Sequence, residues 1–131
     1  MKKTILIVII TLSASISLAQ SELEKNMESE NNSSAVTYRL FPTQNMWNFI
    51  KLNTRTGQIW QVQFDVNEDN RFETYLNILP LVEKEKQIDN RFTLYSTQNT
   101  WTFILLDQID GNTWQVQWSL EPENRFVIPI N

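Results

Sequence analysis

The 131-residue sequence has no cysteine, no histidine and only two glycines. Without cysteine no disulfide can close a loop, so the chain must hold itself together by packing alone. A lipid anchor on an N-terminal cysteine is excluded for the same reason. Without histidine or cysteine, Ser-His and Cys-His nucleophiles are impossible, and so is an ordinary zinc site. The two glycines, Gly57 and Gly111, are too few for a phosphate-cradling loop. There is no basic cluster, and the formal net charge is −4. Such a chain is a poor partner for nucleic acid or an anionic membrane surface. No cofactor and no metal are expected.

Two carboxylates could still run a glycosidase. The only acids at matching places in the two repeats described below are Asp69 and Glu123. Both fall in expected turns, where a carboxyl is solvated and its pKa stays ordinary, so a non-enzymatic chain is expected. Residues 65–69, Asp-Val-Asn-Glu-Asp, resemble the opening of a calcium loop. Asn70 stands where that loop needs glycine and Leu76 where it needs a bidentate glutamate, which rejects an EF-hand and leaves at most a weak calcium turn.

What is present begins with Lys2 and Lys3, an apolar run over residues 5–10, and Ser17-Leu18-Ala19 before Gln20. This is the pattern of a secretory signal peptide over residues 1–19, followed by a mature chain in the periplasm or the medium. The uncharged stretch is short and fades into Ser13, Ser15 and Ser17, which favours a signal peptide over a membrane span. Residues 20–36 are mostly Glu, Asn and Ser, too polar to offset the entropy of ordering, and read as a disordered tether.

The rest, residues 37–131, is a duplication. Thr43-Gln44-Asn45-Met46-Trp47-Asn48-Phe49-Ile50, Gly57, Trp60-Gln61-Val62-Gln63 and Asn70-Arg71-Phe72 return as Thr97-Gln98-Asn99-Thr100-Trp101-Thr102-Phe103-Ile104, Gly111, Trp114-Gln115-Val116-Gln117 and Asn124-Arg125-Phe126. The copies align without a gap, and roughly two residues in five are identical, which marks a repeated supersecondary unit. Repeat one covers 38–77, a linker 78–90, and repeat two 91–131.

Runs rich in β-branched and aromatic residues, bounded by turn residues, predict strands over 38–41, 46–53, 58–65 and 71–78, with four more in repeat two. The predicted fold is all-β: two four-stranded antiparallel meanders in one sandwich- or barrel-like domain, related by a pseudo-twofold. Thr-Arg-Thr-Gly at 54–57 and Gln-Ile-Asp-Gly at 108–111 read as hairpin loops closed by a left-handed glycine in a G1 bulge. If Thr54 faces Gln58, one face of the hairpin carries Ile50, Leu52, Trp60, Val62 and Phe64, and this is the expected core face. Its copy is Ile104, Leu106, Trp114, Val116 and Trp118.

The same register gathers Trp47, Phe49, Gln61 and Gln63 on the opposite face, and Trp101, Phe103, Gln115 and Gln117 in the copy. Rings beside carboxamides could stack on and hydrogen-bond a sugar or a peptide. The bland alternative is a second packed layer in which the glutamines pair across strands. An acid-Asn-Arg-Phe pattern occurs three times, at 69–72, 89–92 and 123–126, and reads as a turn entering a strand, with a surface ion pair.

The run from Tyr38 to Phe64, with its Thr-Gln-Asn-x-Trp-x-Phe-Ile opening and Gly-x-x-Trp-Gln-Val-Gln close, resembles small exported proteins of Bacteroidetes that carry the same duplicated unit. The resemblance implies an exported compartment and this architecture, and it carries no catalytic or binding residues across. The functional expectation is an exported binding protein for a glycan or another cell-surface ligand on the Trp/Gln face. The alternative is a structural or assembly protein that uses that face as a repeat or subunit interface, with another envelope protein as partner.

Overall fold

Turn chemistry decides this architecture. In a computed structural model, which describes Gln20, Ser21 and residues 36–131, residues Val36–Asn131 form one compact unit. The expected signal peptide and nearly all of the expected tether lie outside the described residues; Gln20 and Ser21 are helical and exposed. No described helix is long and apolar enough to cross a membrane.

Eight strands make two sheets in chain order. Sheet one holds β1 (Tyr38–Pro42), β2 (Asn48–Asn53), β3 (Ile59–Gln63) and β4 (Phe72–Asn77). Sheet two holds β5 (Phe92–Ser96), β6 (Thr102–Asp107), β7 (Thr113–Gln117) and β8 (Phe126–Pro129). All pairings are antiparallel, and the two meanders share one hydrophobic core, as in a sandwich. The predicted fold class is therefore observed.

The register differs from the expected one by a single residue. Gly57 and Gly111 do take the left-handed conformation, each at φ 77°. The loop, however, closes on Asn53 and Gln58, with the Asn53 N–H donating to the Gln58 carbonyl at 2.9 Å. The reason is an Asx turn: the Asn53 side-chain oxygen accepts from the Arg55 N–H at 3.0 Å, and the Asn53 carbonyl accepts from the Gly57 N–H at 3.0 Å. Asp107 does the same in the copy, accepting from the N–H groups of Ile109 and Asp110. A residue that satisfies three loop positions must itself be the last rung of the ladder, so Thr54 is pushed into the loop. Thr54 is fully buried there, donating to the Val36 carbonyl and accepting from the Asn90 N–H.

A slip of one residue exchanges faces on the partner strand. Ile50 pairs with Gln61 and Leu52 with Ile59, while Trp60 pairs with Lys51 and Val62 with Phe49. The buried face of sheet one is thus Ile50, Leu52, Ile59 and Gln61. Trp60 and Val62 lie on its outer side, only partly buried, and Phe64 is exposed. The expected core face is corrected accordingly.

The two repeats also bury opposite faces. Sheet two buries Phe103, Leu105, Val116 and Trp118, whose counterparts Phe49, Lys51, Val62 and Phe64 face outward in sheet one. Ile50 has no exposed surface while its counterpart Ile104 is partly exposed. A twofold would bury equivalent residues, so the expected pseudo-twofold is replaced by head-to-tail stacking, with β4 against β8 and β2 against β5.

Beneath the sandwich edge, Arg91 and Asp107 form a buried pair, with guanidinium-to-carboxylate distances of 3.1 and 2.8 Å. The exposed Asp110 adds a third contact at 2.7 Å. Burial alone would push the Asp107 carboxyl up. The Arg91 guanidinium and the loop N–H groups of Ile109 and Asp110 outweigh it and hold the carboxyl below the ordinary range. The sequence expectation of a surface ion pair at Asp89-Asn90-Arg91 is corrected: the pair is buried, and the partner is Asp107.

Candidate functional site

The register shift separates the residues that the sequence grouped. Phe49 and Phe103 are on the face opposite Gln61, Gln63, Gln115 and Gln117, so no shared Trp/Gln face exists on either sheet. Gln61 is fully buried, donating to the Asn48 side-chain oxygen at 2.9 Å and accepting from the Ser119 N–H at 3.4 Å. Phe103 is core. Gln63 donates to the Asn70 carbonyl at 2.9 Å, and Gln115 is partly buried on the outer side of sheet two. Buried side-chain polar atoms among the described residues all have partners, as expected of carboxamides inside a core.

The two tryptophans are where the Thr-Gln-Asn motif aims them. The Thr97 hydroxyl donates to the Thr102 carbonyl at 2.9 Å and accepts from the Asn99 N–H at 3.1 Å, while the Asn99 side chain accepts from the Trp101 N–H at 2.9 Å. These bonds make a tight turn that swings the next ring to the end of the sheet. Thr43 and Asn45 build the same turn before Trp47.

At the end of sheet two the turn produces a cleft. Trp101 is 40% exposed and lies on Trp118, ring centroids 4.6 Å apart and inclined at 46°. The Trp118 indole N–H is spent on the Thr100 carbonyl at 2.9 Å, which locks the lower ring. The opposite wall is the loop after β7: Ser119, Leu120, Glu121 and Asn124, with Gln117 at its base, enclosing about 330 Å³. Arg125 fixes that loop by donating to the Ser119 carbonyl at 2.8 Å, and the Gln117 amide donates to the Asn124 carbonyl at 2.9 Å. The acid-Asn-Arg-Phe pattern is thus a loop clamp rather than an ion pair here. Arg71 makes the equivalent bond to the Asp65 carbonyl in repeat one.

Of the eight sequence candidates, Trp101 and Gln117 meet in this cleft. Ser119, Leu120, Glu121 and Asn124 were missed, because loop residues carry no periodic signal. Repeat one is not equivalent: Trp47 packs against Phe64 at 5.3 Å and is partly buried. Its Asp65 carboxylate is occupied by the Asn67 N–H and the Asn70 amide. No cluster of three acids suited to a metal ion occurs among the described residues. A second, smaller cleft of about 150 Å³ lies between the two Thr-Gln-Asn turns, lined by Thr43, Gln44, Thr97 and Thr100 among others. There the Thr100 hydroxyl donates to the Gln44 side chain at 2.8 Å.

The Trp101 cleft offers an apolar ring face, carboxamides, a hydroxyl and one carboxylate. This set can stack and hydrogen-bond a neutral polar molecule. No protein-family model matches the chain, and neither does a curated protein or a solved structure.

Proposed function

We propose that this chain is an exported, non-enzymatic binding protein for a neutral polar ligand of the glycan class, taken at the Trp101 cleft. The observation that carries the reading is the Trp101 ring, partly exposed at the mouth of the cleft while Trp118 beneath it is locked. A ring held this way loses little freedom on meeting the apolar face of a sugar, so stacking is gained at low entropic cost. Gln117, Glu121 and Asn124 then supply hydrogen bonds around the rim. A volume near 330 Å³ is at the small end of ligand sites and suits one or two sugar units better than a long chain. Export to the periplasm or medium is supported by Lys2, Lys3, the apolar run and the small residues before Gln20.

The test is a glycan and cell-wall polymer array, followed by calorimetry on the best hit. Trp101→Ala should weaken binding at least about tenfold, equivalent to ~1.4 kcal/mol, with cooperative unfolding retained. An array without a hit, or a Trp101→Ala variant that binds like the parent, overturns the reading.

A further inference from the structure

Head-to-tail stacking of two similar sheets leaves two faces over, and these are the counterparts of the two that are buried. The inner contact joins the Ile50, Leu52 and Gln61 face of sheet one to the Phe92, Leu94 and Trp118 face of sheet two. Outside, sheet two presents Ile104, Leu106 and Gln115, with Tyr95 and Ile128 exposed beside them. Sheet one presents Tyr38, Leu40 and Phe64 at the positions of Phe92, Leu94 and Trp118. Each outer face therefore keeps much of the apolar chemistry of the inner face that its repeat counterpart uses, with Thr113 in place of Ile59, Lys51 in place of Leu105 and Glu73 in place of Val127 as polar replacements.

Both outer faces expose large apolar and aromatic side chains. Leu40 is 61% exposed, and Tyr38, Tyr75 and Tyr95 are all about half exposed. Trp60 stands between Tyr38 and Tyr75, with ring centroids 6.2 and 5.1 Å away. Lys51, at the place of buried Leu105, is the one cation in that group. It is ion-paired with Glu73 and lies 4.6 Å over the Trp60 ring, so covering it leaves no unpaired charge. Contiguous exposed apolar surface of this kind marks an interaction site.

We propose that the occupant is a second copy of this chain: the outer face of its sheet two docks on the outer face of sheet one, repeating the internal contact between chains. The contact is heterologous, and such contacts generate closed rings or open filaments. Four-stranded antiparallel sheets stacked face to face close radially at about four to eight sheets, so a ring of roughly two to four chains is expected. The proposal is independent of what the Trp101 cleft binds; of the residues grouped by sequence, Phe49 lies on the outer face of sheet one and Gln115 on that of sheet two.

The experiment is sedimentation velocity on the protein as the cell processes it, with two variants at well-exposed positions. Leu40→Glu breaks the outer face of sheet one and Ile128→Glu that of sheet two. The parent should sediment as a discrete species of two to four times the chain mass, and each variant alone as a monomer. An equimolar mixture of the two should give a one-to-one dimer, because one intact face of each kind remains. A parent that stays monomeric overturns the proposal. A variant that still dimerises alone also overturns it, since the contact would then join like faces. So does a parent that associates only after residues 20–35 are removed, since the chain's own N-terminal segment would then be the occupant.

Discussion

Ile50 and Ile104 occupy the same place in the repeat, yet head-to-tail stacking assigns them opposite fates, and their alanine variants should show it. Ile50 is fully buried between the sheets. Ile50→Ala removes three carbons, worth about 0.8 kcal/mol each in transfer, or roughly 2.4 kcal/mol. The cavity left behind raises this to about 3–4 kcal/mol. Ile104 lies partly exposed on the outer side of sheet two, and its neighbours can relax into the gap, so Ile104→Ala should cost roughly 1 kcal/mol. The reverse pair checks the logic: Phe103→Ala should cost about 3–5 kcal/mol and Phe49→Ala roughly half of that or less. Urea melts on a Leu40→Glu background exclude association, and the free energies come from linear extrapolation with unchanged slopes. In thermal melts, Ile50→Ala should lower the midpoint by more than about 10 °C in a domain of this size. Equal costs for Ile50→Ala and Ile104→Ala would refute the stacking and restore a twofold.

The remaining expectations concern the turns and the buried pair. Gly57→Ala and Gly111→Ala both place a side chain at φ 77°, a strain of about 1–2 kcal/mol. A Cβ at Gly57 would also meet the Leu81 side chain at 2.7 Å, whereas Gly111 has open space, so Gly57→Ala should be the less stable variant by denaturant melt. The Asp107 carboxyl is depressed in the folded state, so its contribution is fully present above the ordinary Asp value of about 4 and is lost as pH falls through the lower folded value. Asp107→Asn should therefore be less stable at neutral pH and lose less stability between pH 5 and pH 2 than the parent. An unchanged acid limb would show that other carboxyls carry it.

How much of this was legible in the sequence follows from which signals are periodic. The duplication, the strand positions and the glycine turns rest on alternation and on two glycines with one possible use, and all three appear in the structure. Register depended on one count at the loop, whether Asn53 or Thr54 forms the last rung. The Asn53 side chain decides that count by accepting from the Arg55 N–H, a bond that alternation does not encode. In repeat one the error fell on β3, which is why Trp60 looked like core and Gln61 like surface. In repeat two it fell on β6, where Ile104 and Leu106 were expected inside and Phe103 and Leu105 are buried, while Val116 and Trp118 on the β7 side are core as expected. Which face each sheet buries was not legible at all. Each repeat carries an apolar set on both faces, and only packing against the other sheet selects one.

The candidate site shows why near-identical repeats need not carry equal sites. The Thr-Gln-Asn turn aims a tryptophan in both copies, and the Asn-Arg clamp fixes a loop in both. The outcome differs because of two substitutions. Trp118 replaces Phe64: it is buried, with its indole bonded to Thr100, and Trp101 is left partly exposed above it. Ser119 replaces Asp65: its hydroxyl accepts only the Glu121 N–H at 3.0 Å, whereas the Asp65 carboxylate gathers Asn67 and Asn70 into its own loop. Repeat two therefore keeps an open cleft where repeat one has a self-satisfied turn. A single chain then offers one Trp101 cleft, and a polymer could gain avidity only if chains are joined. In the proposed head-to-tail ring each chain adds one cleft at the same end of its sheet two, so a polymer that reaches several clefts would gain avidity without any change in the single site.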